Sequence, residues 1–178
     1  MCEKYKACAI IGHRKIDITE ELKSRLFDII CDMIENKGVR TFLFGSKSVF
    51  NTLCYEIISY AKEHYGFIES VVYTCKNEAF IDNASKEEIE KAYEMRGVKD
   101  RILSFDREVE YRDKYVTGKS TYIQRNYAMI DDSDYCLFYY DRKYQPKNNI
   151  GKTTNSGTAL SYQYALKCGK IIINVYDK

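Results

Sequence analysis

The chain has 178 residues, 45% of them hydrophobic, with a formal net charge of +2. That length supports one good core, and so small a charge argues against a partner held by bulk electrostatics, nucleic acid above all. The seven cysteines lack any C-x-x-C spacing, and no apolar run approaches a membrane span, so neither a metal site nor membrane contact is expected and the protein reads as cytoplasmic.

Residues 7–11 are a short apolar strand, ended by Gly12, His13 and Arg14. A glycine here lets the chain turn sharply or lets a ligand approach the backbone. Thr19 opens a helix with Leu22, Leu26, Ile29, Ile30, Met33 and Ile34 on one face, stopping at Gly38. Residues 39–44 form a second strand, broken by Gly45 and Ser46. Ser48 then caps a helix whose expected buried stripe is Val49, Leu53, Ile57, Tyr60 and Ala61. Residues 68–73 read as a third strand. The order β-α-β-α-β predicts a parallel sheet with right-handed crossovers.

Residues 82–94 open on Ser85 and Glu88 in capping-box spacing and read as an exposed helix. Within residues 101–111 the alternation is weak, and a short strand is expected. Thr121 with Gln124 gives a capping box for a helix running to Ile130. Residues 135–140 and 171–175 are continuous apolar runs, as strands covered on both faces tend to be. Between them a polar loop ends in Asn155, Ser156, Gly157 and Thr158, where the last helix begins. No repeat or linker interrupts residues 1–178, so a single α/β domain is expected, its mainly parallel sheet flanked by helices on both faces.

In such a sheet ligands bind beyond the carboxyl ends of the strands. Three strand-to-helix loops have the composition for that edge: Gly12 to Arg14, Gly45 to Ser48, and Asn155 to Thr158. The N-terminus of the last helix offers free N–H groups and the positive end of a dipole, which suits a phosphate. Arg125, with Asn126 beside it, could add a bidentate charge to the same anion. The expected site therefore places the phosphate on Ser156, Gly157 and Thr158, paired with Arg125. Gly12 and Gly45 form the wall, with His13 and Ser46 reaching a base or ribose. Asp134, just before a strand, is expected to cap backbone N–H groups near it.

Competing motifs fare worse. Gly151, Lys152 and Thr153 end like a P-loop, but Pro146 stands where that motif needs its first glycine. There is no Gly-x-Ser-x-Gly elbow and no cysteine paired with a histidine for nucleophilic catalysis. No cofactor is called for.

The order strand-Gly-His-Arg, Phe-Leu-Phe-Gly-Ser, Arg-Asn-Tyr-x-Met-Ile-Asp-x-Ser-Asp and Ser-Gly-Thr before a terminal strand resembles the SLOG superfamily, and within it the small DUF1273-type branch. The resemblance covers nearly the whole chain. It implies a Rossmann-like sheet shared with the cytokinin-activating phosphoribohydrolases, the DNA-processing protein A fold and nucleotide-sensing domains. It also implies that Gly12, Gly45, Ser46, Arg125, Ser156, Gly157 and Thr158 are ligand-binding positions. Arg125 and Met129 match the phosphoribohydrolase helix motif, but Ala159, Leu160, Ser161 and Tyr162 supply no catalytic glutamate. An oxocarbenium-like transition state wants a negative group there.

The resulting expectation is a sensor or sequestering protein for a nucleotide or ADP-ribose-like molecule. The alternative is a phosphoribohydrolase acting on nucleoside 5′-monophosphates. Single-stranded DNA binding is suggested only by the fold relationship, and the charge speaks against it. A homodimer or higher oligomer is expected from related phosphoribohydrolases and from Tyr55, Tyr122, Tyr127 and Tyr162, which exceed what one core needs.

Overall fold

The computed structural model describes residues 5–45, 48–75, 105–111, 119–144 and 156–176. The expected helix at residues 82–94 lies outside them, as do Ser46, Asn155 and the loop with Gly151, Lys152 and Thr153. In chain order the elements are β1 (Lys6–Gly12), α1 (Glu20–Glu35), β2 (Val39–Phe44), α2 (Val49–Tyr65), β3 (Glu69–Cys75), β4 (Arg107–Tyr111), α3 (Lys119–Asp131), β5 (Tyr135–Tyr139), α4 (Gly157–Lys167) and β6 (Ile171–Asn174). Six strands form one sheet in the order β4-β3-β2-β1-β5-β6, and every neighbouring pair is parallel. The fold is Rossmann-like α/β, as the alternation of apolar runs and amphipathic helices required.

The strands read as apolar runs because both faces of the sheet are covered. On one face Cys8, Ile10, Phe42, Phe44 and Leu137 pack with Leu26, Ile30, Met33, Phe50 and Ile58 of α1 and α2. On the other, Ala9, Ile11, Leu43, Cys136 and Phe138 pack with Met129, Ile130 and Ala165 of α3 and α4. Successive residues of β1 and β5 thus serve opposite cores, as the period of two dictates.

Ser48 caps α2 as expected, accepting from Asn51 N at 3.0 Å, and Thr19, where α1 was expected to begin, is its cap, accepting from Leu22 N at 3.1 Å. The stripe of α2 differs: Phe50, Leu53, Cys54, Ile58 and Ala61 are buried, whereas Tyr60 is 53% exposed. That helix has apolar residues on more than one side, so its sequence leaves the rotation ambiguous. Thr121 is not a cap, because α3 already begins at Lys119. The weakly alternating segment is β4, which among the described residues is the edge strand, paired with β3.

The tyrosines offered as evidence of an interface have partners inside the chain. Tyr55 meets Phe44 and Phe105, Tyr127 stacks on Tyr164 at 3.9 Å, Tyr162 meets Phe138 and Tyr140, and Tyr122 lies under the Arg125 guanidinium. Their number therefore gives no argument for a second subunit. Among the described residues, no helix is long and apolar enough to cross a membrane.

Candidate functional site

After β1 the chain builds outward through β2, β3 and β4, then returns to the other side of β1 with β5 and β6. The strand order reverses between β1 and β5, and the carboxyl ends of these two strands flank the crevice that such a reversal opens. His13 N donates to Tyr139 O at 3.3 Å, closing the ladder just beyond the two strand ends. Asn174 extends the next pair with its side chain, accepting from Tyr140 N at 2.9 Å and donating to Tyr140 O at 3.0 Å.

The expected wall is present. Ile10, Ile11, Gly12, Gly45, Ser48, Asn51 and Asn126 line one crevice at this edge. Its free volume is only about 20 Å³, the scale of one water rather than of a small-molecule pocket of roughly 300 Å³ or more. Its two glycines answer to neighbours in the chain. A Cβ on Gly12 would stand 2.3 Å from Phe50 Cδ1, and one on Gly45 would stand 3.0 Å from Met129 Sδ and 3.1 Å from an Arg125 nitrogen. The missing side chains make room for packing.

Arg125 is 0% exposed. Its guanidinium lies against the Gly45 backbone and over the Tyr122 ring at 5.2 Å, donating to Cys75 Sγ at 3.7 Å and, at 3.4 Å, to Asn126 Oδ1. Asn126 Nδ2 donates in turn to Ser161 Oγ at 3.1 Å, and Ser161 Oγ to Gly157 O at 2.8 Å. Arg125 is thereby linked to the first turn of α4 through side chains. Ser156 caps that helix, accepting from Ala159 N at 3.1 Å; Thr158 is buried, and a Cβ on Gly157 would meet open space.

Asp134 is at the wrong end. Its carboxylate accepts from Ala7 N at 2.9 Å, at the amino end of β1. In a parallel sheet a residue preceding a strand belongs to the amino edge, opposite the crevice, so its role is to fasten β1 to the start of β5. Its neighbours are similarly engaged: Asp131 accepts from Tyr164 OH at 2.9 Å, and Asp132 from Tyr73 OH at 2.7 Å.

His13 is 2% exposed. Its Nε2 accepts from Asp141 N at 3.0 Å, and its ring stacks on Tyr144 with centroids 4.0 Å apart. Burial pushes its pKa below the ordinary 6.5, with the backbone hydrogen bond to Asp141 and then the Asp141 carboxylate acting the other way. Around it runs a set of aromatics of which the sequence alone singled out Tyr162, and that for an interface. Tyr140 lies 6.0 Å from His13 and 4.8 Å from Tyr162, and Tyr139 contacts Phe50 at 5.7 Å and Tyr176 at 5.4 Å. Arg14, Lys15, Arg142 and Lys143 are exposed on the same two loops. Asp141 also accepts from Lys143 N at 2.8 Å. The signal was the interleaving of Tyr139, Tyr140 and Tyr144 with Arg142 and Lys143, which a count of net charge hides.

No protein-family model and no curated protein sequence matches the chain. Among solved structures, DNA processing protein A from Helicobacter pylori, studied for its single-stranded DNA binding mode, superposes with a TM-score of 0.52 at 16% sequence identity. The match covers 94% of this chain and 63% of that one. At that identity the likeness shows the fold. It nevertheless overturns two expectations, the nucleotide or ADP-ribose sensor with its phosphoribohydrolase alternative, and the exclusion of nucleic acid as a partner: the similar structure is that of a single-stranded DNA-binding protein.

Proposed function

We propose that the chain binds single-stranded nucleic acid along the carboxyl edge of its sheet, as a small Rossmann-like module of the SLOG type. The observation that carries this reading is the pairing of aromatic rings with exposed cations on the loops that follow β1 and β5. Tyr140 and Tyr144 follow β5 and are half-buried, as is Tyr139 at its last position. Tyr176, beyond β6, is exposed and contacts Tyr139. Arg14, Lys15, Arg142 and Lys143 are exposed on the loops after β1 and β5. Single strands are held by that combination, with rings under the bases and cations along the phosphates; each stacked base contributes roughly 1–3 kcal/mol. A net charge of +2 is no obstacle when the cations are gathered on one edge. The fold of the DNA-binding neighbour supports the same reading. The neighbour is the longer chain, so its other activities are not transferred.

The test is fluorescence anisotropy with a labelled oligothymidylate, titrated across a range of salt. Wild-type protein should bind it more tightly than the matching duplex, with affinity falling as salt rises. The double variant Arg142→Ala, Lys143→Ala removes two phosphate contacts and should flatten the log–log salt slope by about 1.4, at roughly 0.7 per contact on a single strand. An unchanged slope, or equal affinity for duplex, would reject the proposal.

A further inference from the structure

We infer that His13 is a positioning residue for Tyr144, and that only the neutral imidazole holds this ring and the flanking Arg142 and Lys143 where single-stranded nucleic acid is bound. This rests on the nucleic-acid reading for its ligand, but its geometry stands alone. Nε2 of His13 accepts the Asp141 N–H at 3.0 Å, so in this arrangement the ring carries its one proton on Nδ1. The same ring is the floor on which Tyr144 stacks, at 4.0 Å and 25° between planes. Two points of the loop after β5, the Asp141 backbone N–H and the Tyr144 ring, thus meet one side chain. Arg142 and Lys143, both exposed, lie between them.

Adding a proton to Nε2 turns an acceptor into a donor aimed at another donor, and the Asp141 hydrogen bond is lost. Asp141 favours the charged form, through its backbone hydrogen bond and its carboxylate, but less than burial disfavours it. Among the described residues, Tyr139 at the end of β5 and Tyr140 just after it contribute their rings, and the loop contributes the ring of Tyr144 and the acid Asp141. Arg14, next in the chain, is a cation, and Phe50 of α2 closes the far side of Tyr139 with an apolar ring. Burial therefore dominates, and the folded state prefers the neutral ring. A histidine lowered in this way contributes fully above its unfolded value of 6.5. That contribution is lost as the pH falls from there through the folded value.

Two measurements on the full chain test this. Anisotropy with labelled oligothymidylate should show affinity level above pH 7 and falling about tenfold on acidification below 6.5, the worth of roughly one stacked base. His13→Gln keeps an acceptor for Asp141 N–H and does not titrate, so its affinity should stay level with pH. In parallel, the Asp141 amide resonance of the wild type should titrate with the imidazole. Binding with an amide that does not titrate, or identical pH profiles for wild type and His13→Gln, overturns the inference and leaves the nucleic-acid reading intact. An amide that titrates in a protein that binds no oligothymidylate supports the positioning of the loop and rejects that reading instead.

Discussion

Gly12→Ala is expected to lower folding stability by about 1–3 kcal/mol, the usual cost of forcing extra volume into a packed core. For a domain of this size that is a fall in melting temperature of roughly 2–12 °C. The added Cβ would meet three atoms of one side chain, at 2.3 Å from Phe50 Cδ1, 2.5 Å from Cγ and 2.7 Å from Cβ. A contact with Phe50 Cβ cannot be relieved by turning the ring, because that atom is fixed to the first turn of α2. The helix itself is held by its Ser48 cap and by Val49 N donating to Arg14 O at 3.1 Å. Either β1 or α2 must give way. Gly12→Ala should cost less in a Phe50→Ala background, which removes Cγ and Cδ1, with an interaction of about 0.5–3 kcal/mol between the two sites in a double-mutant cycle. Differential scanning calorimetry on the four proteins reads this directly. A Gly12→Ala protein that melts like the wild type would return this glycine to the role its sequence context suggested, room for a ligand.

The comparison of Gly12 with its sequence context shows where legibility ends. A glycine after a strand announces that no side chain is tolerated, but not whether Phe50 or a ligand occupies the space. The strands were legible because burial on both faces leaves an unbroken apolar run, as in residues 135–139. Their parallel arrangement followed from the helices between them. The position of Asp134 was legible too, since a residue before a parallel strand belongs to the amino edge, and placing it by the crevice set aside the polarity already deduced. The rotation of α2 was not legible. Val49, Phe50, Leu53, Cys54, Ile57 and Ile58 offer two overlapping stripes, and only packing against β1 and β5 selects the one with Phe50 and Ile58 inward. The aromatic and basic edge was written in residues 139–144, yet a tyrosine in an apolar run reads first as core, and Tyr135 is indeed buried there.

Arg125 is the residue for which sequence and structure diverge most, and Arg125→Ala should show it. The sequence places a cation near a glycine-rich edge and so suggests an anion. The structure encloses the whole side chain, with its guanidinium against Gly45, Cys75, Tyr122 and Asn126. Truncation therefore removes a large buried side chain and takes a donor from Asn126 Oδ1, in a chain of side-chain bonds reaching Ser161 and Gly157. The expected loss is about 2–5 kcal/mol, as for other large-to-small changes that also leave polar groups behind. Arg125→Lys should rescue little, because an ammonium on a flexible stem lacks the planar fork that spans these partners. Arg125→Met should lose less than Arg125→Ala, since it refills the volume and brings no charge to bury. Urea titrations of the three variants, followed by circular dichroism, give that order. Oligothymidylate affinity, measured where each variant is still folded, should change far less than stability does. The opposite pattern, wild-type stability with affinity lost in Arg125→Ala, would mean that Arg125 reaches the ligand after all, through an opening of the cover formed by Gly45 and Tyr122.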